Sequence, residues 1–110
     1  MTTSLTQLQH YSGPLAASRD GIAEQSAVLA SCDPRTPDTL TVHLATMWTT
    51  TTLSLPELER LLRLPSRRVV VSGEPGRGAV YLPTEHARRL CDWLRRVDAE
   101  RTHPPRNRLT

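Results

Sequence analysis

Apolar and polar residues alternate over residues 39–46, and a period of two is typical of a strand with one buried face. A second apolar run covers residues 27–32. Between the two runs, residues 33–38 have the sequence Asp-Pro-Arg-Thr-Pro-Asp, in which aspartate and proline favour a turn. The pattern therefore predicts a first β-hairpin closed by this segment.

A second hairpin is predicted where the apolar runs 69–71 and 79–82 flank the glycine-rich segment 73–78. The spacing of the first and last glycines of that segment also fits a phosphate-binding loop. Such a loop continues with Lys and then Ser or Thr, and it opens a helix. Here alanine and valine follow and begin a strand. We therefore expect a hairpin turn and no nucleotide or other cofactor.

Caps and apolar faces predict two helices. Ser54 and Glu57 have the spacing of a capping box, and this first helix should end near Leu64, before a proline. Thr84 is the predicted N-cap of the last helix, over residues 85–101. The last helix has an apolar stripe at helical spacing, formed by Ala87, Leu90, Cys91, Leu94 and Val97.

Residues 14–32 fit two interpretations. Leu15, Ile22 and Leu29 recur every seven residues, as on one face of a helix. Gly21 interrupts that helix, and the end of the segment equally fits a strand. Both alternatives stay open at this point.

The domain organisation follows from these elements. Residues 1–13 are polar and are predicted to be a flexible segment, and residues 102–110 are predicted to be a disordered basic tail. Residues 14–101 should form a single α+β domain. Its antiparallel-rich sheet is built from the two hairpins, and it has two helices, of which the last is C-terminal.

Composition indicates the type of organism, the oligomeric state and the cellular compartment of the protein. The chain has 110 residues and no Phe, and all its basic residues are Arg, which is typical of a GC-rich genome such as that of an actinobacterium. A small core without Phe is marginally stable, which favours a homo-oligomer. The sequence contains no run long enough to span a membrane and no visible signal peptide, so we expect a cytoplasmic protein without membrane insertion.

Charge is distributed unevenly along the chain. Residues 1–59 carry two arginines and six acidic residues, a net charge of −4, whereas residues 60–110 carry twelve arginines and five acidic residues, a net charge of +7. A basic C-terminal half suggests an acidic protein or a nucleic acid as partner.

Residue types that bind metals or attack substrates are present without a pattern. His43, His86, Cys32, Cys91 and Asp92 include no CxxC or HxxxH pair. Apolar neighbours should raise the pKa of both cysteine thiols and so make them poor nucleophiles. We therefore expect no metal site, no catalytic residue and no enzymatic activity.

Four arginines of the last helix share its outer face, with Asp92 one turn from each of them. They form either an exposed lattice of ion pairs or a binding surface for phosphate or an acidic protein, which two arginines of the preceding strand would extend. This candidate binding surface consists of Arg67, Arg68, Arg88, Arg89, Arg95 and Arg96. Trp48 and Trp93 either pack in the core or form a candidate oligomer interface.

Residues 30–42, with the turn Asp33-Pro34-x-x-Pro37, resemble the hairpin of the SsgA-like proteins of actinobacteria. The resemblance extends over about residues 27–98. It includes a Trp-containing extended run, a Leu-rich helix, a Val-rich strand, a Gly-bearing turn and a last helix with the sequence Leu-Cys-Asp-Trp-Leu-Arg-Arg at residues 90–96. It implies a non-enzymatic protein of sporulation-linked cell division that assembles as a small oligomer, a trimer or a dimer.

The sequence therefore favours a cytoplasmic adaptor or regulator of septation, sporulation or development that acts through protein binding, with a partner in the division machinery. The alternative is a small basic transcriptional regulator that binds nucleic acid. The two differ in salt dependence, because binding through several arginines to phosphates weakens steeply with salt.

Overall fold

The computed structural model describes residues 7–102, which form eight strands and two helices. The strands are β1 (Gln9–His10), β2 (Ala16–Arg19), β3 (Ile22–Ala27), β4 (Leu29–Cys32), β5 (Thr41–Ala45), β6 (Thr50–Ser54), β7 (Arg68–Ser72) and β8 (Val80–Pro83). The helices are α1 (Leu55–Leu62) and α2 (Thr84–Thr102). Two four-stranded antiparallel sheets have the strand orders β1-β4-β5-β6 and β3-β2-β8-β7.

The first sheet contains the first predicted hairpin. Strands β4 and β5 pair with Ala30 opposite Leu44, and the turn between them begins where the Asp33 carboxylate accepts the backbone N–H of Arg35 at 3.0 Å. Alternation along the strands directs one face inwards. The inward side chains are Ala30, Cys32, Val42, Leu44 and Leu53.

The second sheet takes strands from both ends of the domain. Strands β2 and β3 form a hairpin around Asp20 and Gly21, where Gly21 has φ +77°. On its other side β2 pairs with β8, so Arg19 lies opposite Val80. Strand β7 completes the sheet through the second predicted hairpin. The Asp20 carboxylate accepts the backbone N–H of Gly76 at 2.7 Å, which ties the two hairpin turns together.

The helices cover the apolar faces of the sheets. At the start of α1, the Ser54 hydroxyl accepts the N–H of Glu57 at 3.2 Å and the Glu57 carboxylate accepts the N–H of Ser54 at 3.0 Å, so the predicted capping box is present. At the end of α2, the Arg101 guanidinium donates to the carbonyls of Thr36 and Asp38 and holds the first hairpin loop against the helix. One continuous core results. Its largest fully buried side chains are Leu40, Leu44, Leu58, Leu82, Leu90, Leu94, Val42, Cys32 and Cys91.

The predicted α+β class, with two hairpins, two helices and a C-terminal last helix, is confirmed, and the two hairpins lie in different sheets. The ambiguous segment 14–32 contains strands β2, β3 and β4, so the helical alternative is wrong. Residues 9–10, within the predicted flexible segment, form β1 and pair with β4. In the predicted tail, Thr102 belongs to α2, and residues 103–110 lie outside the described residues, as do residues 1–6.

Candidate binding surface

Helix α2 is held firmly at both of its ends and along one face. Leu90 and Leu94 are fully buried, and Val97 is 5% exposed, so the predicted stripe packs into the core. The Thr84 hydroxyl donates to the carbonyl of Ser66 at 2.7 Å, which fastens the start of the helix to the segment before β7. The opposite face of α2 therefore has a fixed position relative to the sheets.

Arginines cover that outer face, and each of the four predicted arginines of α2 is exposed. Arg89 approaches Glu85 one turn earlier at 3.4 Å. Arg95 contacts Glu59 of α1 at 2.9 Å and Asp92 at 3.5 Å. The hydrogen bond with Glu59 raises the pKa of Arg95 above its ordinary value.

Arg88 and Arg96 are exposed and form no ion pair within residues 7–102. Asp92, which lies one turn from both, instead contacts the Arg95 guanidinium at 3.5 Å. An exposed guanidinium that forms no ion pair keeps its hydration and its positive charge for a partner. The face is therefore partly an ion-pair lattice and partly free positive charge.

Helix α1 runs antiparallel to α2 and adds arginines that the sequence reasoning missed. Glu59 pairs with Arg95, and the beginning of α1 lies with the end of α2 around one groove of about 530 Å³. The end of α1 is consequently near the start of α2. Arg60 and Arg63 are exposed there, and the backbone carbonyl of Arg67 accepts the N–H at the start of α2.

We call Arg60, Arg63, Arg67 and Arg88 the basic corner of the molecule. All four are exposed, and none of them has an ion pair among the described residues. Arg60 and Arg63 could have been noted from the sequence as polar positions of the predicted first helix. Their proximity to α2 could not, because the antiparallel packing of the helices is set by the intervening hairpin.

Arg68 does not belong to this surface. It begins β7 on the face opposite the buried Val69, and its guanidinium lies 3.7 Å from the centre of the Tyr81 ring. The Tyr81 hydroxyl donates to the Asp20 carboxylate at 3.1 Å. Arg68 therefore covers an aromatic ring on the outer face of the second sheet, while α2 packs on the inner face.

Both candidate interface tryptophans are partly buried against the core. Trp93 meets Tyr11 edge to face, with ring centroids 5.6 Å apart at an interplanar angle of 72°. Trp48 lies in the turn between β5 and β6, where its backbone N–H donates to the Thr46 hydroxyl at 3.1 Å. Each ring thus has packing partners within the chain itself.

The two cysteine thiols are free and buried. Burial, assisted by the neighbouring Asp33 carboxylate, raises the pKa of Cys32 to about 11. Burial also raises the pKa of Cys91. Both thiols therefore stay protonated at neutral pH, and a protonated thiol is a poor nucleophile. Within residues 7–102, no three His, Cys, Asp or Glu side chains are grouped so that they could hold a metal ion.

Comparison with protein-family models, with curated proteins and with solved structures finds no match to this chain. Among the described residues, neither helix is both long enough and apolar enough to cross a membrane.

Proposed function

We propose that this chain is a non-enzymatic adaptor or regulator that works as a homo-oligomer and binds an acidic surface of a protein partner. The observation that supports this proposal best is the exposed, rigidly mounted arginine surface of α1 and α2. Arg88 and Arg96 have no ion pair within the described part of the chain, and α2 is anchored by its buried leucines.

A protein partner fits the mixed charge of this surface. Glu59, Asp92 and Glu85 lie among the arginines and pair with two of them. Interspersed acids weaken the field that a phosphate backbone would experience, but they allow a protein to match each charge with an opposite one and so select its register. The partner should therefore present carboxylates together with a few basic groups.

The biological setting rests on the resemblance to the SsgA-like proteins, carried by residues 30–42 and the order of elements up to residue 98. On that basis we place the protein in the cytoplasm of an actinobacterium, in septation or sporulation, with a component of the division machinery as partner.

A nucleic-acid-binding regulator is the second candidate function. The basic corner favours it, because Arg60, Arg63, Arg67 and Arg88 are exposed and free of acidic partners within residues 7–102. If several of these arginines contact phosphates, the binding constant should fall steeply as salt is raised.

A capture experiment with the native chain separates the two candidates. Immobilised parent protein, the variant Arg88→Glu/Arg96→Glu and the control Arg77→Glu are each incubated with an actinobacterial lysate, with and without nuclease. Arg77 is a suitable control because it is exposed in the glycine-rich turn and forms no ion pair among the described residues.

A protein captured by the parent and by Arg77→Glu, resistant to nuclease and lost with the double variant, is the expected result. Material that disappears after nuclease treatment would favour the nucleic-acid function instead. Equal capture by all three proteins would mean that α2 is only a solvated face and that the proposed surface is wrong.

A further inference from the structure

The outward face of the first sheet carries a continuous row of polar side chains that contains no Asp, Glu or Arg. Strand pairing places His10 opposite Ser31, Ser31 opposite His43 and His43 opposite Thr52. Directly paired residues point to the same side of a sheet. The row therefore crosses all four strands from edge to edge.

A second row runs parallel to the first one and is mostly apolar. Leu29 is opposite Ala45, and Ala45 is opposite Thr50. Leu29 is 75% exposed, the largest exposure of any large hydrophobic side chain in the described part of the chain. Burying such a side chain against a partner removes apolar surface from water and favours association.

Exposed apolar side chains concentrate around this face. Met47, which is 65% exposed, lines a groove together with Leu29 and Ala45. Leu8, which is 48% exposed, immediately precedes β1. Among the large hydrophobic residues exposed within residues 7–102, Leu64 alone lies elsewhere, beyond the end of α1. Exposed apolar side chains that line one groove, as Leu29 and Met47 do, are typical of interaction sites.

No Asp, Glu or Arg side chain lies on the outward positions of the four strands, although 23% of the whole chain is charged. Charged groups lie at its borders, where Asp33 and Arg35, which follow β4, pair at 2.8 Å, and the Glu57 carboxylate accepts the N–H of Ser54 at 3.0 Å. A nucleic acid or an anionic membrane would find no arginine or lysine here, and a charged protein would lose hydration without gaining an ion-pair partner. A neutral face matches another neutral face.

The face is also shaped to receive a second copy. A groove of about 640 Å³ on this face is lined by residues of all four strands, among them His10, Leu29 and His43. In a two-fold contact the same patch serves both subunits. The protruding Leu29 of each copy can then enter the groove of the other, while the Ser, Thr and His side chains hydrogen-bond across the contact.

We propose that the outward face of β1, β4, β5 and β6 is a self-association surface, through which two copies of this chain pack sheet to sheet about a two-fold axis. The inference deepens the homo-oligomer part of the proposed function and rests on it. It assigns oligomerisation to a surface separate from the arginines of α2, which stay available for another partner.

Charge insertion tests this surface. Leu29→Glu and His43→Glu each place a negative charge on the face, and Leu64→Glu places the same charge on an exposed hydrophobic position outside it. Sedimentation velocity at 1–100 µM protein should give a dimer for the parent and for Leu64→Glu. A carboxylate buried in this contact loses its hydration without gaining an ion-pair partner, so each face variant should raise the dimer dissociation constant by about 100-fold or more.

Charge complementation gives a second measurement that a misfolded variant could not satisfy. His43→Glu and His43→Arg should each be monomeric, and mixing them should restore a dimer containing one copy of each. Far-UV circular dichroism should give the same spectrum for all variants, because the three altered positions are exposed.

The possible outcomes separate the inference from the proposed function. A parent that remains monomeric at 100 µM would overturn both the sheet-to-sheet contact and the homo-oligomer. An oligomeric parent whose face variants associate as tightly as Leu64→Glu would overturn this surface alone and leave the homo-oligomer standing. Failure of the two His43 variants to form a mixed dimer would also contradict the proposal.

Discussion

At the scale of single residues, Asp20 connects parts of the chain that are far apart in sequence. Its carboxylate accepts hydrogen bonds from the backbone of Gly76 and from the hydroxyl of Tyr81, whose ring lies under the Arg68 guanidinium. The Gly76 hydrogen bond is the main reason that the pKa of Asp20 lies below its ordinary value. Burial, followed by the hydrogen bond to Asp20, raises the pKa of Tyr81.

The lowered pKa of Asp20 predicts acid sensitivity. A carboxyl group with a lower pKa in the folded state stabilises the fold above its ordinary pKa, and that contribution is lost as the pH falls through the lowered value. Asp20→Asn should therefore lower the urea midpoint at pH 7 and should flatten the loss of stability between pH 5 and pH 2. Urea titrations across that range measure both effects. An unchanged pH profile would mean that Asp20 does not stabilise the joined turns.

The Asp20 turn also illustrates what residue patterns could not settle. Asp-Gly is a common hairpin turn, yet the seven-residue recurrence of Leu15, Ile22 and Leu29 equally fits a helix. The structure resolves the ambiguity in favour of strands, because β2 pairs with β3 across the local turn and with β8, which is distant in sequence. The local sequence indicates the pairing with β3 through its Asp-Gly turn, but it contains no information about the pairing with β8.

At the scale of secondary-structure elements, α1 depends on its capping box. Ser54→Ala removes the side-chain acceptor for the N–H of Glu57 and should lower the free energy of unfolding by about 1 kcal/mol. Ser54→Asp should retain most of that stability, since aspartate also caps helices well. Thermal denaturation of the two variants and the parent tests the cap. If both variants lose the same unfolding free energy, the Ser54 hydroxyl stabilises the protein by something other than capping the helix.

Substitutions in helix α2 should show that its buried face determines stability and that its surface charges contribute little. Leu94 is fully buried, so Leu94→Ala should cost about 2–5 kcal/mol of unfolding free energy. Arg89→Glu/Arg96→Glu alters exposed groups, whose ion pairs contribute little, and should change stability by less than about 1 kcal/mol. Chemical denaturation of Leu94→Ala, of the double arginine variant and of the parent measures these changes in unfolding free energy. If the double variant is unfolded, the arginines of this face are required for folding and the prediction is wrong.

Helices and hairpins were predictable because their signals are local. The cap at Ser54, the stripe through Leu94 and the glycine-rich turn each lie within one short stretch of sequence. The candidate site was only partly predictable. Arg88 and Arg96 could be read from the spacing of the last helix, whereas Arg60 and Arg63 join them only through the packing of α1 against α2.

At the scale of the whole molecule, the two sheets differ in the sequence separation of the strands that pair in them. The sheet of β4, β5 and β6 is a meander of consecutive strands, extended by β1. The other sheet joins the early strands β2 and β3 to the late strands β7 and β8. Contacts between distant segments cost more chain entropy to form, so the meander should form earlier in folding.

Two buried leucines test this order of folding. Leu44→Ala, in the meander, should slow refolding, whereas Leu82→Ala, in β8, should mainly accelerate unfolding. Stopped-flow fluorescence of the two tryptophans, over a range of urea concentrations, gives both rates. Equal slowing of refolding by the two variants would contradict the order.

The pairing of Arg19 with Val80 also has a consequence during synthesis on the ribosome. About 60 residues separate the two positions, and at about 5–20 residues per second the ribosome needs about 3–12 s to make the partner strand. For that interval β2 has no neighbour on its β8 side, and an unpaired strand edge can recruit another chain. The nascent protein is therefore most vulnerable to aggregation in the seconds before β8 is released, and slower translation should lower its soluble yield.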